Sequence, residues 1–257
     1  MARKIKIISW NVNGLRSAAR QGFIKWLAQE PADIICLQEI KANVLDLPPE
    51  LVKINGYYSY FNSAQKKGYS GTAVYTKVQP KVFETSILPG RFDGEGRGIK
   101  MIFDEFTLYN FYIPNGSRDK RDIPYKLDTY TKLLEIFASQ KNKNIILAGD
   151  FNIAHKEIDV FNAKHNKNNT MFTLGEREQI DRLIDLGYVD AFREQNPLRQ
   201  CFSWWPYMAN LRERDIGWRI DYIFTSKKLF PKVKNSSIKK EVLGSDHCPV
   251  MVELDGF

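Results

Sequence analysis

The sequence contains little cysteine and no long hydrophobic run. Its three cysteines, Cys36, Cys201 and Cys248, lie far apart, and no two of them form a CxxC pair. This pattern argues against a disulfide framework and a cysteine-based zinc site, and it is typical of proteins in a reducing, cytoplasmic compartment. No stretch approaches the roughly 20 apolar residues of a membrane-spanning helix. Residues 1–4 lead directly into a strand-like pattern, so we expect neither a signal peptide nor membrane association.

An excess of acidic residues is also absent. The 257 residues include 38 Lys and Arg against 30 Asp and Glu, which gives a formal net charge of +8 and a pI near 9.2. Such a charge favours polyanionic partners, nucleic acid first and anionic membranes second. The basic residues are scattered, without a basic tail or a basic amphipathic helix, which weakens the membrane alternative. From charge alone, a protein that is merely soluble and basic remains an alternative.

Linkers and low-complexity segments are missing as well, so we expect one catalytic domain spanning residues 1–257. The predicted strands cover residues 5–10, 33–39, 57–61, 71–76, 82–86, 98–103, 107–112, 145–149, 219–224, 233–239 and 250–254, and the predicted helices cover residues 15–29, 125–140 and 174–187. Thr173 and Glu176 form a predicted capping box at the start of the last helix. Strands in the first and last thirds end in acids and amides alike, which suggests two similar halves facing each other.

A short apolar run at residues 145–148 ends abruptly in Gly149, Asp150, Phe151 and Asn152. The run suits a strand buried on both faces. Asp150 and Asn152 are two residues apart, so in extended backbone they point the same way. A carboxylate and an amide there are typical of a site for hard metal ions or phosphate oxygens. Taken alone, the pair fits an Asx-type turn equally well.

Similar acceptor-rich side chains end several other predicted strands. They are Asn11, Glu39, Asp221, Asp246 and His247. Each has an ordinary alternative: Asp and Asn are common turn formers, Asp221 has Arg219 as a partner on a sheet face, and His247 fits a partly buried histidine. The repetition favours one shared site, because none of these side chains lies in a charged surface run.

Carboxylate and amide oxygens without thiolates select Mg²⁺, or Mn²⁺ in its place, rather than Zn²⁺. Glu39 is the first choice of ligand, with Asp246 and the Asn11 amide nearby. His247 is then available to carry a proton or to bind a phosphate oxygen, and Asp221 to fix its tautomer. This set predicts metal-assisted hydrolysis of a phosphodiester.

Seven ordered sequence blocks carry a resemblance to a known family. They are ISWNVNGLR (8–16), LQEIK (37–41), KGYSG (67–71), YIPNG (112–116), GDFN (149–152), GWRIDY (217–222) and GSDHCP (244–249). The chain resembles the exonuclease III family of abasic-site endonucleases, within the DNase I-like superfamily. The resemblance implies an α/β fold: a four-layered sandwich of two mixed β-sheets packed face to face, with helices outside and an active site at one edge.

The resemblance also implies roles for individual residues. Asp150 would align or deprotonate the attacking water, and Asn152 would stabilise the transition state or lie at a second metal position. Tyr112 would contact the scissile phosphate, as a hydrogen-bond donor or in ionised form. The implied catalytic residues are Tyr112, Asp150, Asn152, Asp221 and His247, and the implied metal-site residues are Asn11, Glu39, Asp150, Asn152, Asp246 and His247. Asn13 stands where the animal enzymes carry Asp, so no metal role is carried over to it.

Substrate contacts follow from the same resemblance. Arg16, Lys41, Tyr69, Asn115 and Arg118 match or adjoin positions that grip the DNA backbone, Asn166 and Asn169 line the pocket for a flipped nucleotide, Trp204 and Trp218 pack against a base-free deoxyribose, and Met208 is wedged into the duplex. Physically, this is base flipping with an apolar wedge. Core packing is the alternative for Trp204 and Trp205, because aromatic residues dominate cores.

These inferences predict a Mg²⁺-dependent DNA repair nuclease that cuts 5′ to abasic sites in double-stranded DNA and leaves a 3′-hydroxyl. A 3′→5′ exonuclease activity, and nicking at deaminated bases such as uridine, are further expectations. We expect a cytoplasmic monomer that acts on nucleoid-associated DNA. The alternatives are a phosphodiesterase or phosphatase of the same superfamily with a non-DNA substrate, such as a sphingomyelinase, and a non-catalytic DNA-binding module.

Overall fold

Alternation along the central strands determines the layers of the molecule. In the first strand, Ile7 packs into the central core, whereas its neighbour Ile8 packs against helices on the outside. The apolar run before Asp150 behaves in the same way, because Ile146 faces the central core and Ile145 faces outward. Successive side chains of a strand point to opposite faces, so a continuous apolar run requires cover on both sides.

The computed structural model describes residues 4–208 and 210–256. The strands in this part of the chain are β1 (Ile5–Asn11), β2 (Ile34–Gln38), β3 (Tyr58–Asn62), β4 (Thr72–Thr76), β5 (Val82–Glu84), β6 (Gly98–Ile102), β7 (Thr107–Tyr112), β8 (Ile145–Asp150), β9 (Tyr188–Asp190), β10 (Asp221–Ser226), β11 (Val233–Ile238) and β12 (Val250–Leu254). The helices are α1 (Leu15–Arg20), α2 (Phe23–Gln29), α3 (Pro49–Val52), α4 (Arg91–Gly94), α5 (Ile123–Ala138), α6 (Ala163–Asn166), α7 (Leu174–Asp185) and α8 (Ala191–Gln195).

The strands form two six-stranded mixed sheets. The first sheet has the order β11-β12-β1-β2-β4-β3, and the second has the order β5-β6-β7-β8-β10-β9. Each sheet contains one parallel pair near its centre, β1 with β2 and β7 with β8, flanked by antiparallel pairs. The two sheets are therefore built alike, as the repeated strand exits of the sequence suggested.

Helices cover the outer face of each sheet. Helices α1 and α2 pack on the first sheet through Leu15, Phe23 and Leu27, and α5 and α7 pack on the second through Leu134 and Ile180. The predicted four-layered α/β sandwich is confirmed. None of the helices in the described ranges combines the length and apolarity needed to cross a bilayer.

Several predicted elements needed correction. The single helix expected over residues 15–29 is two helices, because Gly22 adopts a left-handed conformation with φ of 101° between them. Residues 41–56, where the sequence predicted neither strand nor helix, contain α3. The capping box of Thr173 and Glu176 at the start of α7 is confirmed. The short elements α4, β9 and α8 were not predicted, since three to five residues carry too little periodicity to be recognised.

A buried charge network joins the long polar loop, residues 154–171, to the segment that leads into β10. The Asp159 Oδ1 atom accepts hydrogen bonds from Arg219 Nε at 2.7 Å and Arg193 Nη2 at 2.5 Å, and Arg219 Nη1 lies 2.8 Å from Asp190 Oδ2. Burial opposes ionisation of Asp159, but the two guanidinium groups lower its pKa to about 2. Arg219 therefore pairs with Asp159 and Asp190, and the alternative pairing with Asp221 is wrong.

This network predicts a specific loss of stability in acid. Because the pKa of Asp159 is lowered on folding, its stabilisation is complete above pH ~4 and is lost as the pH falls towards 2, a change of about 2 kcal/mol. Urea unfolding at pH 6 and pH 2.5 measures the change, and Asp159→Asn should lack it. The exposed Asp128→Asn serves as the matched control and should behave as wild type. An Asp159→Asn variant with the wild-type pH dependence would contradict the assignment.

Candidate active site

Strand register brings three polar side chains together at one edge of the second sheet. Tyr112 of β7 lies opposite Asp150 of β8, and Asp150 lies opposite Asp221 of β10. Asp150 is four residues beyond Ile146, and Asp221 two residues before Ile223, both of which face the central core. An even spacing keeps side chains on one face, so all three point into the gap between the sheets.

The first sheet contributes Asn11 and Glu39 to the same gap. Asn11 Nδ2 donates to Glu39 Oε1 and to Asp150 Oδ2, both at 2.9 Å. Its Oδ1 accepts from the Asn13 backbone N–H at 3.0 Å. Asn11 thus bridges the two sheets through its N–H groups. Its proposed role as a metal ligand through the amide oxygen stays a prediction.

Glu39 leaves β2 in a left-handed backbone conformation, with φ of 49°. Its Oε2 lies 2.9 Å from Lys41 Nζ. Burial opposes ionisation, but Lys41 and the Asn11 amide hold the pKa of Glu39 below its usual value. Glu39 is therefore an ionised carboxylate at neutral pH.

His247 and Asp221 form a hydrogen-bonded pair. His247 Nδ1 lies 2.9 Å from Asp221 Oδ2, and His247 Nε2 lies 3.9 Å from Asp150 Oδ2. Burial disfavours the imidazolium, but the Asp221 carboxylate outweighs it and raises the pKa of His247 to about 10. Ser203 Oγ donates to the same Asp221 oxygen at 2.6 Å and accepts from the Asp221 backbone N–H at 3.1 Å. The pair presents a cationic Nε2–H towards Asp150.

Asp150 is buried beside the Asp221 carboxylate, so its ionised form requires a neighbouring positive charge. Burial and the Asp221 charge raise the pKa of Asp150 to about 8, although His247 opposes the shift. Ligand atoms of Glu39, Asp150 and His247 all lie within 4.8 Å of one another. The two carboxylates, without a thiolate, suit a hard divalent cation, whereas His247 with a proton on Nε2 cannot coordinate one, and its predicted metal role stays a prediction.

Asp246 lies beside this group rather than within it, as far as the described residues show. Its Oδ1 accepts from Asn13 Nδ2 at 2.8 Å, and its Oδ2 accepts from Trp204 Nε1 at 3.0 Å. Lys41 Nζ also contacts Asn13 Oδ1. Asn13 therefore orients Asp246, and the metal role predicted for Asp246 stays a prediction.

Asn152 is held in a sparsely populated conformation, with φ of 52°. Its backbone N–H donates to Asp150 Oδ1 at 2.9 Å, and its Nδ2 donates to the Ile113 carbonyl at 2.9 Å. The turn expected after β8 is therefore present, and its side chains also belong to the site. One amide hydrogen of Asn152 is left for a substrate.

Tyr112 is supported from behind by Arg97. The Arg97 guanidinium lies 4.6 Å from the Tyr112 ring centroid, donates to the Tyr112 carbonyl at 3.0 Å and reaches the Tyr69 hydroxyl at 3.1 Å. Burial, followed by the charge of Glu39, raises the pKa of Tyr112 well above its ordinary value. Two roles were left open for Tyr112, a hydrogen-bond donor or an ionised group. Burial and the Glu39 charge favour the neutral hydrogen-bond donor.

An aromatic wall borders His247. Trp204 pairs through its backbone with both Trp218 and His247. The Trp204 ring centroid lies 6.3 Å from that of Trp218 and 6.2 Å from the His247 ring. Met208 is 69% exposed and lines a cleft of about 320 Å³ that also contains Asp246. Trp205 is buried in the central core, as the core alternative required, but Trp204 is only partly buried.

The remaining predicted DNA contacts lie on loops. Arg16, Asn115, Arg118 and Asn169 are exposed, whereas Lys41, Tyr69 and Asn166 are partly buried. Asn169 Nδ2 donates to Asn166 Oδ1 at 2.7 Å, so these two side chains act as one unit. Thr170 Oγ1 donates to the Ser117 carbonyl at 2.9 Å, which joins their loop to the loop that carries Asn115 and Arg118. Direct DNA contacts of these residues stay predictions.

Three supporting residues were missed by sequence reasoning. They are Arg97, Ser203 and Arg212. Arg212 donates to the carbonyls of Ser245, Lys240 and Val242 at 2.6–3.0 Å. Its guanidinium group also stacks 4.6 Å from the centroid of the Trp205 ring. Arg212 therefore joins the Trp-rich loop, residues 203–208, to the segment before Asp246. An isolated Arg or Ser has no periodic signal. Only the proximity of Arg212 and Ser203 to the Trp-rich loop hinted at a role.

Comparisons with known proteins agree with this geometry. The sequence matches the Endonuclease/Exonuclease/phosphatase family over residues 8–247. It is 45% identical over 251 residues to an exodeoxyribonuclease of Bacillus subtilis, which covers 96% of this chain and 98% of that protein. It is 38% identical over 260 residues to the DNA repair nuclease APEX1 of Danio rerio, with 98% of this chain and 83% of that protein covered.

Solved structures share the same architecture. An AP endonuclease from Archaeoglobus fulgidus superposes with a TM-score of 0.88 at 26% identity, covering 96% of this chain and 98% of that chain. The 3′ phosphatase NExo from Neisseria, bound to a product DNA hairpin, superposes with a TM-score of 0.90 at 28% identity, covering 98% and 99%. The likeness therefore extends over the whole fold and includes both strand edges that build the site.

Proposed function

The chain belongs to the Endonuclease/Exonuclease/phosphatase family, as a hydrolytic nuclease of the exonuclease III type, and we propose that it hydrolyses the phosphodiester 5′ to abasic sites in double-stranded DNA. The product would carry a 3′-hydroxyl. The same site would remove nucleotides from 3′ ends and nick at deaminated bases such as uridine. All the proposed catalytic groups come from one chain, which supports action as a monomer.

One observation carries this proposal: the aromatic wall adjoins the His247–Asp221 pair directly. Trp204 lies opposite His247 in an antiparallel β-bridge, and its indole N–H donates to Asp246. A sugar without a base presents an apolar ring face beside its phosphate, and it would pack on Trp204 and Trp218 while the phosphate meets His247. A purely phosphate-specific site would not need an aromatic surface at this distance.

Asp150 is the proposed base. Its Oδ2 lies between Asn11 Nδ2 and His247 Nε2, and its Oδ1 is fixed by the Asn152 backbone N–H. A carboxylate that is buried and held at both oxygens has a defined direction towards one water molecule. Its raised pKa makes it a stronger proton acceptor than an exposed carboxylate, once it is ionised.

His247, Tyr112 and Asn152 are the proposed phosphate donors. His247 keeps a charged Nε2–H because Asp221 accepts from Nδ1. Tyr112 keeps its proton because burial and Glu39 disfavour the phenolate. Asn152 has one amide hydrogen free of the Ile113 carbonyl. Donors fixed before the substrate arrives stabilise developing negative charge without reorganisation.

The donor set fits Mg²⁺, with Mn²⁺ as a substitute. Glu39 would be the principal ligand, because it is ionised and shares the cluster with Asp150 and His247. Asp246 and Asn11 adjoin it. When bound, the ion neutralises charge on the scissile phosphate. Lys41, 2.9 Å from Glu39, would share that carboxylate or turn towards the DNA backbone.

A duplex with one abasic analogue tests the proposal. We expect incision 5′ to the analogue in Mg²⁺, a loss of at least ~10³-fold in chelator, and recovery with Mn²⁺. An undamaged duplex and a small aryl phosphodiester serve as matched substrates. No incision of the abasic duplex, together with hydrolysis of the small ester, would favour the phosphodiesterase alternative. Incision that survives chelation would contradict the metal assignment.

A further inference from the structure

A buried ion pair lies behind the site, on elements that contribute no catalytic group. Lys126 in the first turn of α5 and Glu176 in the first turn of α7 have no exposed side-chain surface, and Lys126 Nζ lies 2.7 Å from Glu176 Oε1. Desolvating two charges costs about as much as their attraction returns, so such a pair does little for stability by itself. Its position suggests another use.

The Lys126 ammonium group binds the loops after two neighbouring strands. It donates to the carbonyl of Asn152, after β8, at 2.5 Å, and it lies 3.4 Å from the carbonyl of Asn115, after β7. Together with Glu176, these acceptors occupy all three N–H groups of an ammonium. The Lys126 ammonium group therefore holds Asn152, which is proposed to stabilise the transition state. It also holds the loop that carries Asn115, a proposed DNA contact.

Glu176 extends the same connection to the end of the polar loop. Its Oε2 accepts from the Thr173 hydroxyl at 2.6 Å and the Thr173 backbone N–H at 3.1 Å, and its Oε1 accepts from the Met171 N–H at 2.9 Å. Both Glu176 oxygens are thus occupied. The loop that carries Asn166 and Asn169 ends at this carboxylate, so three loops around the site meet at one ion pair.

Asn152 is held by contacts on both sides of its Cα. Its φ of 52° lies in the left-handed region, which most residues with a side chain avoid and which Asn adopts more often than they do. Its side chain and N–H are fixed by Ile113 and Asp150, and Lys126 fixes its carbonyl. Releasing the carbonyl would let the peptide after Asn152 rotate, so that the Asn152 backbone would be fixed only on its N-terminal side, where its N–H donates to Asp150.

We propose that the Lys126–Glu176 pair is a positioning device that holds Asn152, and through it Asp150, in the geometry required for hydrolysis. The proposal rests on the proposed function for its kinetic test. If the ion pair were purely structural, stability and turnover would change together in its variants. The positioning role predicts instead that turnover can be lost while stability is kept. An apolar pair of similar volume can replace the packing of the two side chains, but it cannot donate to the Asn152 carbonyl.

The test compares Lys126→Met with the double variant Lys126→Met/Glu176→Met. Lys126→Met leaves a buried carboxylate without its partner, and we expect Tm to fall by about 10 °C. The double variant should recover most of that Tm, because an apolar pair is tolerated. Its kcat on the abasic duplex should nevertheless stay ~10- to 100-fold below wild type, with KM changed less than about 3-fold.

Lys132→Met is the matched control, because Lys132 lies on the same helix in an exposed ion pair with Asp128. It should retain wild-type Tm and kcat. Leu134→Ala, a core change on α5, supplies a second comparison, because its loss of Tm should be similar to that of Lys126→Met. The proposal is overturned if the double variant recovers kcat together with Tm, or if Leu134→Ala loses as much kcat as Lys126→Met.

Amide hydrogen exchange gives a readout independent of activity. In the double variant we expect faster exchange at residues 152–154, with unchanged exchange in β7. Unchanged protection at 152–154 would overturn the positioning role. If wild-type protein fails to cut the abasic duplex, the proposed function fails, while the exchange result still decides whether Lys126 holds the Asn152 segment.

Discussion

Asp150→Asn is expected to reduce single-turnover incision of an abasic duplex by about 10³-fold or more, with little change in DNA affinity. The substitution keeps the shape of the side chain and its acceptor for the Asn152 N–H. It removes the negative charge and the capacity to accept a proton from water. Because an anionic carboxylate repels phosphate, the Kd for the duplex should be unchanged or slightly lower.

The measurement pairs incision rates with fluorescence anisotropy on the same labelled duplex. Asp181→Asn is the matched control, since Asp181 is a carboxylate outside the site that contacts His155 and Lys156, each at 2.8 Å. This control should incise as wild type. If affinity for DNA falls in step with the rate in Asp150→Asn, Asp150 is structural and the assignment of the base is wrong.

Asp221→Asn should lower turnover by about 10²- to 10³-fold and shift the alkaline limb of the pH–rate profile to lower pH. Asp221 outweighs burial and raises the pKa of His247 to about 10. The protonated form is therefore present at neutral pH and is lost only as the pH rises through that value. Without the Asp221 charge, burial dominates, and His247 loses its proton at a lower pH.

Asp190→Asn provides the comparison, because Asp190 is a buried carboxylate in the neighbouring strand β9 that pairs with Arg219. It removes the same charge from the same sheet. We expect it to affect unfolding more than the position of the alkaline limb. An Asp221→Asn profile that superposes on that of wild type after scaling would show that His247 does not carry the titrating proton.

The layers of the fold were predictable because they depend on residue-by-residue alternation. Apolar residues at every position of residues 145–148 required two covered faces, and the structure supplies them. The break at Gly22 was not predictable from the pattern, since the apolar residues on either side of it keep helical spacing. The boundary depends on one backbone conformation, which hydrophobic periodicity does not report.

The members of the catalytic cluster were recognisable as polar ends of apolar strands, and seven motif blocks connected them. Their supports were not recognisable. Lys126 occupies the buried face of α5, whereas its apolar neighbour Leu127 is only partly buried. A lysine at such a position looks like a surface residue until tertiary contacts show its carbonyl and carboxylate partners. Long-range pairing of this kind leaves no mark on local sequence.

Strand β12 pairs with β1, so residues almost 250 positions apart complete the centre of the first sheet: Ile5 lies opposite Leu254. Asp246 and His247 immediately precede this last strand. The first sheet thus closes only after the residues up to Leu254 are available, and pairing at such long range is slow because of its loop-closure entropy. A partly synthesised chain would present Glu39 and Asp150 without His247, the proposed phosphate donor. The ability to cut DNA is thereby tied to completion of the fold, and unfinished chains would be inert towards the genome.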